Sequence, residues 1–573
     1  MVTAFNIKTA GAMHPYTGNT MIPRIFNFQT HQPGAAACGV LINPKMKALW
    51  FFLIWLNIAG LSLRAYSNDE VKPLMVGHGR DVQITIFNEP LNDIPPLLFG
   101  QFCEHTAPKN SERGAEAAWD ESHGAIRSDV LEKIRELRPG LIRFPGGTQV
   151  DHCDWTAFIG NAPMEASGGV RYRFGVDDFI KVCRQVNAEP LLVVNFRDGL
   201  TKSKPLAEAA LQAAGLVAYC NAQVGAKLPE GMPDWPSLRA KNGSQAPFGV
   251  KYFQIGNESW FYDPKDVEWK LAALEAYIDA MRQVDPSIQI IADAYPDGFA
   301  QLCRQRLGDR LDMLALHSYL PFGSLEQMKR GGQPVVWDKM TAEESWLGLT
   351  STMPVDSVTG LARIPLEFGS ERPDHGYALA LTEWNWNGWG TSLKLDWIRA
   401  FGAANYLHAM MREPKIKLAT QSMLIGTSWG INAIRVNPDG KMPSSFIQPV
   451  GAVTGFYAAH HGRQRLRVEL DSVPKYRQPL TSAGGAEQGA EVAAVDVVAT
   501  ASDGRVWVHV INRQFNDTAP LKIRLEGFAD GFPARATLRL LQESGSLEQG
   551  AGVKSGFIEA AIPPRTIACL ELE

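Results

Sequence analysis

Between residues 95 and 430 the chain alternates short, nearly continuous apolar runs with longer amphipathic stretches, and few architectures satisfy that rhythm. The runs predict strands at Leu97–Phe102, Leu141–Pro145, Pro190–Phe196, Lys251–Gly256, Gln289–Ala294, Met313–His317, Ala378–Thr382 and Met423–Thr427. Strands without polar alternation are buried on both faces, as in parallel sheets covered by helices. Helical periods fill the gaps, at Asp129–Leu137, Val176–Val186, Leu206–Asn221 and Val267–Val284. Eight strand–helix units predict an α/β fold, a (β/α)8 TIM barrel. A doubly wound open sheet is the competitor, but it usually stops at five or six strands and carries a glycine-rich phosphate loop. The sequence has no GxGxxG or GxxxxGK[ST]. The long Tyr319–Tyr377 link predicts loops over the active face.

After residue 435 the texture becomes short strands and turns, with runs at Arg465–Leu470, Val492–Thr500, Arg505–Asn512, Leu521–Leu525, Ala534–Leu541 and Ile567–Leu572. That pattern predicts a C-terminal all-β sandwich. The expected partition is 1–65 as an N-terminal extension with a signal peptide, 66–435 as the barrel with a short N-terminal strand, and 436–573 as the sandwich. Residues 1–65 hold five Lys or Arg and no acid, so the net charge of −4 averages a basic start with a remainder of −9. Met46-Lys47 precedes an apolar run from Ala48 to Leu63 and a small-residue exit. This reads as a signal peptide whose true start is Met46, and hence an exported protein, periplasmic or secreted; a signal anchor is the alternative. The run is short for a span, so no stable membrane span is expected in the mature chain. No concentrated basic surface points to nucleic acid. The seven cysteines match no metal spacing, and leave one or two disulfides open.

In a barrel of this kind, chemistry sits where strands end at the C-terminal mouth. The fourth strand runs into Gly256-Asn257-Glu258-Ser259-Trp260 and the seventh into Glu383-Trp384-Asn385. Two acids on opposite sides of one mouth can converge on a single atom, as glycoside hydrolysis requires: one protonates the leaving oxygen, the other attacks or activates water. Other strand ends offer Glu104-His105, Thr148, Asp151-His152, His317-Ser318-Tyr319 and Ser428-Trp429. His105, His152 and His317 come from separate strand ends, and no metal or other cofactor is expected.

The segments Phe99-Gly100-Gln101-Phe102-Cys103-Glu104-His105, Arg143-Phe144-Pro145-Gly146-Gly147, Gly256-Asn257-Glu258, His317-Ser318-Tyr319 and Thr382-Glu383-Trp384-Asn385 together resemble glycoside hydrolase family 51, mainly α-L-arabinofuranosidases. The resemblance implies a retaining double displacement, with Glu258 as general acid/base and Glu383 as nucleophile. It implies that Asn257 bonds a hydroxyl beside the reacting carbon, that Tyr319 donates to the nucleophile, and that Glu104 binds hydroxyls at the far side of the terminal sugar. His317 divides between site wall and support. The resemblance is compatible with a homo-oligomer.

Aromatic residues crowd the same strand ends, and sugars stack C–H faces on rings. Trp155, Trp260, Trp384 and Trp429 are therefore candidate carbohydrate contacts, and fifteen Trp in the chain gain a reason. Thr148 stands where the family has an asparagine, and Ser428-Trp429 where it has a glutamine. The expected function is an exo-acting glycosidase releasing terminal furanosyl residues from polysaccharide side chains. Alternatives are another specificity on this scaffold (β-xyloside, β-glucan or galactofuranoside) or a non-catalytic carbohydrate-binding protein.

Overall fold

The computed structural model describes residues 81–573 except 105–113, 161–163, 167–169, 263–265, 294, 367–375, 438–442, 483, 530–531 and 555. The expected leader 1–65, with Met46, and His105 lie outside the described residues. No helix among the described residues is long and apolar enough to cross a membrane.

Eight parallel strands close into a barrel: Gly100–Phe102, Leu141–Phe144, Glu189–Val194, Tyr252–Ile255, Gln289–Asp293, Met313–Ser324, Ala378–Trp389 and Ile416–Ser422. The third strand shows why these runs read as continuously apolar. Leu191 and Val193 point into the barrel with Leu141, Ile291 and Leu418, while Leu192 and Val194 point out against the helices. Burying both faces removes the polar half of the alternation.

Four strands differ from expectation, the sixth and seventh because they run on to Ser324 and Trp389, past the predicted ends His317 and Thr382. The first contributes only three residues, because Pro96–Phe99 forms a 3₁₀ turn that begins at Pro95-Pro96. The eighth is Ile416–Ser422, not Met423–Thr427. Its C-terminal half, Thr420-Gln421-Ser422, is polar yet wholly buried, each side chain being hydrogen bonded: Thr420 to the Thr382 carbonyl, Gln421 to Gln101 and Thr454, Ser422 to Tyr319. The apolar run that follows turns into a small sheet, Ile425–Gly426 with Ile434–Val436 and Ser445–Ile447. The helix after it, Pro449–Ala459, packs on the helices Asp396–Arg412 and Ser128–Leu137 and completes the outer ring, so the barrel runs past residue 435.

The N-terminal strand, Val82–Asp93, is not part of the barrel. It runs antiparallel to Gln464–Asp471 and parallel to Ala519–Glu526, inside a ten-stranded sheet otherwise drawn from residues after 463. Leu538 and Leu540 near one end of that sheet share a core with Ile558 and Ile562 near the other, so the sheet folds over itself as a sandwich. The six described cysteines are free thiols, five of them buried, so no disulfide forms among them.

The sandwich packs against the seventh and eighth barrel helices around a buried charge cluster. Asp496 receives hydrogen bonds from Arg412, and His408 Nδ1 lies 3.1 Å from its carboxylate. Burial would raise its pKa, but the Arg412 charge and the His408 contact hold it well below the carboxylate range. His509 stacks on Tyr457 at 4.4 Å, and burial, with three nearby histidines, holds its pKa well below that of a free imidazole.

His509 thus gains its proton more readily in the unfolded chain. Unfolding takes up protons between the folded and unfolded values, and stability present above about pH 6.5 is lost as pH falls. Urea midpoints taken from pH 7.5 to 5 should fall more steeply for the wild type than for His509→Phe; parallel slopes would contradict the assignment.

Candidate active site

The mouth is organised around Arg143, from the second strand. Its guanidinium is fully buried and reaches across the barrel: Nε donates to Gln254 Oε1 at 3.0 Å, Nη1 to Glu383 Oε1 at 3.0 Å and Nη2 to Asn257 Oδ1 at 2.6 Å. Its Cζ lies 4.4 Å from the centre of the Phe102 ring. One cation therefore ties the second, fourth and seventh strands together. Because Arg only donates, Asn257 must present its oxygen there and its Nδ2 elsewhere. That Nδ2 is buried without a protein acceptor among the described residues.

Glu383 is buried at the level of the mouth. Tyr319 Oη donates to its Oε2 at 2.7 Å, and Ser422 Oγ lies 2.9 Å from the same phenol. The single phenolic proton goes to the carboxylate, so Ser422 donates to Tyr319. Burial would raise the Glu383 pKa, but His317, Arg143 and the two hydrogen bonds outweigh it and hold the carboxyl below its ordinary value. The Tyr319 pKa moves the other way, raised by burial and by Glu383, which keeps it a donor.

Glu258 faces it, partly exposed. His317 Nδ1 sits 2.8 Å from Glu258 Oε1 and 3.7 Å from Glu383 Oε2, with Nε2 3.1 Å from Thr382 Oγ1. One oxygen of each carboxylate and a nitrogen of His317 all lie within 4.8 Å of one another. Such a trio can ligate a cation, but Glu383 already accepts from Arg143 and Tyr319, and one oxygen of Glu258 is in contact with His317. Glu258 carries φ +49, unusual for a side chain with a Cβ. The turn is held by the next residue. Ser259 donates from N and Oγ to buried Asp293 at 3.0 and 2.8 Å, and Lys270 Nζ donates to Asp293 Oδ1 at 2.7 Å. On the other side Tyr262 donates to Asp151, whose pKa is raised to about 7 by burial against its hydrogen bonds.

Glu104 is buried under the second-strand loop. Gly147 has φ +63, and a Cβ there would stand 2.1 Å from Glu104 Oε1, so only glycine lets the loop lie on this carboxylate. Thr148 follows, exposed. Trp260 packs edge-on against His317 at 5.6 Å.

Two of the expected aromatic contacts are buried in the packing. Trp155 is buried among Tyr219 and Trp235, its indole N–H donating to the Gln212 carbonyl. Trp384 is fully buried against Tyr406 and offers no surface to a ligand. Trp429 is half-buried in the turn after Ile425–Gly426, seven residues beyond the eighth strand, because that strand ends earlier than its apolar run suggests. From sequence, Arg143 stands only as part of the Arg-Phe-Pro-Gly-Gly segment, with no role, and Gln254, Lys270, Asp293 and Ser422 are not singled out. A basic residue inside an apolar strand was the available signal for Arg143.

Residues 133–327 match the family model described as "Alpha-L-arabinofuranosidase 1 domain". "Alpha-L-arabinofuranosidase C" of Emericella nidulans is 29% identical over 227 residues, 35% of this chain and 39% of that protein. "Intracellular exo-alpha-(1->5)-L-arabinofuranosidase" of Acetivibrio thermocellus is 26% identical over 255 residues, 40% of this chain and 46% of its own length. The chain thus spans less than half the length of these curated relatives. The structure of the thermostable GH51 α-L-arabinofuranosidase from Thermotoga petrophila RKU-1 superposes with a TM-score of 0.61 at 21% identity, covering 86% of this chain and all of that one. The likeness in sequence is to arabinofuranosidases, and the fold is that of the GH51 structure, a TIM barrel with a β-sandwich.

Removing the Arg143 charge leaves the burial of Glu383 less opposed. A carbon-13 NMR titration of labelled glutamate in Arg143→Gln should place the Glu383 carboxyl above its wild-type value; an unchanged titration would show that Arg143 does not set it.

Proposed function

We propose that this chain is a retaining glycoside hydrolase that releases terminal α-L-arabinofuranosyl residues from polysaccharide side chains. The observation that carries the reading is the pair Glu258 and Glu383, with oxygens within 4.8 Å across one mouth. Retaining enzymes hold their carboxyl groups about 5–5.5 Å apart, whereas inverting enzymes leave room for a water between them. The different surroundings of the two acids support different roles.

Glu383, held ionised by Arg143 and Tyr319, attacks the anomeric carbon. Glu258 gives its proton to the glycosidic oxygen as that bond breaks, and the sugar becomes an ester of Glu383. Glu258, now a carboxylate, takes a proton from water, whose oxygen attacks the same carbon and displaces Glu383. Two inversions restore the starting configuration. Asn257 Nδ2, lacking a protein acceptor among the described residues, is free to donate to a sugar hydroxyl beside the reacting carbon. Glu104 accepts from hydroxyls at the deep end, and His317 orients Glu258 while Trp260 backs it. Thr148 stands at the rim with its hydroxyl exposed.

The apolar run at 48–63 supports export through a signal peptide, although the Acetivibrio thermocellus relative is named as intracellular. N-terminal sequencing of the mature protein tests it: a start just after the run supports export, and an intact Met1 or Met46 contradicts it.

With 4-nitrophenyl α-L-arabinofuranoside, proton NMR should show the product formed first as the α-anomer. Glu258→Ala should lower kcat on a natural linkage by about 10²–10⁴-fold. Azide, which needs no deprotonation, should restore turnover of the aryl glycoside and yield the α-glycosyl azide. A β-configured first product, or azide without effect, would contradict the assigned roles. Activity on none of a panel of aryl glycosides, with sugar binding intact, would leave a carbohydrate-binding protein.

A further inference from the structure

Four large aromatic side chains stand exposed among the described residues: Phe261, Phe322, Trp389 and Phe446. The first three follow within a few residues of Glu258, Tyr319 and Glu383 respectively. Exposed rings therefore concentrate at the ends of the strands that carry the reacting groups.

Phe322 and Trp389 have a scaffold of their own. The sixth and seventh strands are each twelve residues long, against three to seven for the other six. Past the catalytic level they continue as a paired ribbon, Phe322 opposite Asn387 and Ser324 opposite Trp389. The ribbon is tight: a Cβ at Gly388 would meet Leu325 at 2.6 Å, and one at Gly390 would meet Ser324 Oγ at 2.6 Å. The two rings meet edge to face at 5.7 Å, and Phe322 lies 5.6 Å from the Tyr319 ring, whose hydroxyl touches Glu383. A file of three rings thus leads from the nucleophile outward, ending in side chains 59% and 46% exposed.

Large rings held rigidly in water are unfavourable unless something covers them. At other strand ends of the same mouth the polar groups Glu104 and Asn257 are both buried. A terminal sugar whose hydroxyls reach those groups directs its glycosidic oxygen outward. We infer that Phe322 and Trp389 form a platform for the leaving-group side of the substrate, stacking against a sugar unit of the chain from which the terminal residue is cut. This rests on the hydrolase reading above and adds to it the two residues that receive the saccharide on the leaving-group side.

The test compares two substrates with the same terminal sugar. α-L-Arabinofuranosyl fluoride has a one-atom leaving group that cannot reach the platform; α-1,5-linked arabinotriose has two sugars that can. In Phe322→Ala and Trp389→Ala the ratio of kcat/KM for the triose to that for the fluoride should fall about tenfold, the effect of losing a ring contact. An unchanged ratio, or equal losses on both substrates, overturns the platform while leaving the hydrolase reading intact. If the wild type turns over neither substrate, the hydrolase reading fails on its own. Binding then decides the platform. In a Glu258→Gln background, arabinotriose should quench tryptophan fluorescence, and Trp389→Ala should remove that quench; no quench, or an equal quench in both, overturns it.

Discussion

A single buried guanidinium holds the mouth of this barrel together. Arg143 spends its donors on a carboxylate, an amide oxygen from the residue before Glu258, and a glutamine inside the fourth strand. Taking such a charge out of water costs several kcal/mol, recovered only where the partners are fixed and complete. Deleting one member of such a pair typically costs about 3–5 kcal/mol, because the other is left uncompensated. The arrangement therefore makes the position of Glu383, the orientation of Asn257 and the register of three strands interdependent.

The same logic recurs one layer out. Glu258 sits in a left-handed backbone conformation that must be paid for by its neighbours, and the Lys270–Asp293–Ser259 cluster anchors the residue next to it. Further away, Asp496 with Arg412 and His408 locks the helix Asp396–Arg412 to the sandwich. Each cluster takes residues from segments far apart in sequence. The N-terminal strand shows the same economy: by pairing inside the sandwich it makes the chain's two described extremes one sheet. The barrel is thereby enclosed between the first and last strands of the described chain.

The strands buried on both faces were legible because continuous apolar runs have few other uses, and six of the eight fall where the runs stand. The eighth was misplaced because its stability comes from Thr420, Gln421 and Ser422 finding buried partners, which no local pattern announces. The facing pair of glutamates could be read from strand ends alone, since barrel geometry brings those ends together. Aromatic roles could not. Trp384 and Trp386 follow Glu383 on a strand with both faces covered, and their burial is set by the helix packed on them, with Gly402 held against Trp386. Trp389 lies past the edge of that cover, a fact of strand length that the recurring tryptophans of Trp384-Asn385-Trp386-Asn387-Gly388-Trp389 do not reveal.

The central claim is that Glu383 bonds to the sugar. A 2-deoxy-2-fluoro arabinofuranoside with a good leaving group slows release of such an ester more than its formation, so the adduct accumulates and survives proteolysis. Mass spectrometry of the peptic digest should find one fluorosugar per chain, on the peptide containing Glu383, and none in Glu383→Ala. An adduct on a different residue, or steady turnover of the parent glycoside with no covalent sugar on the chain, would contradict the account.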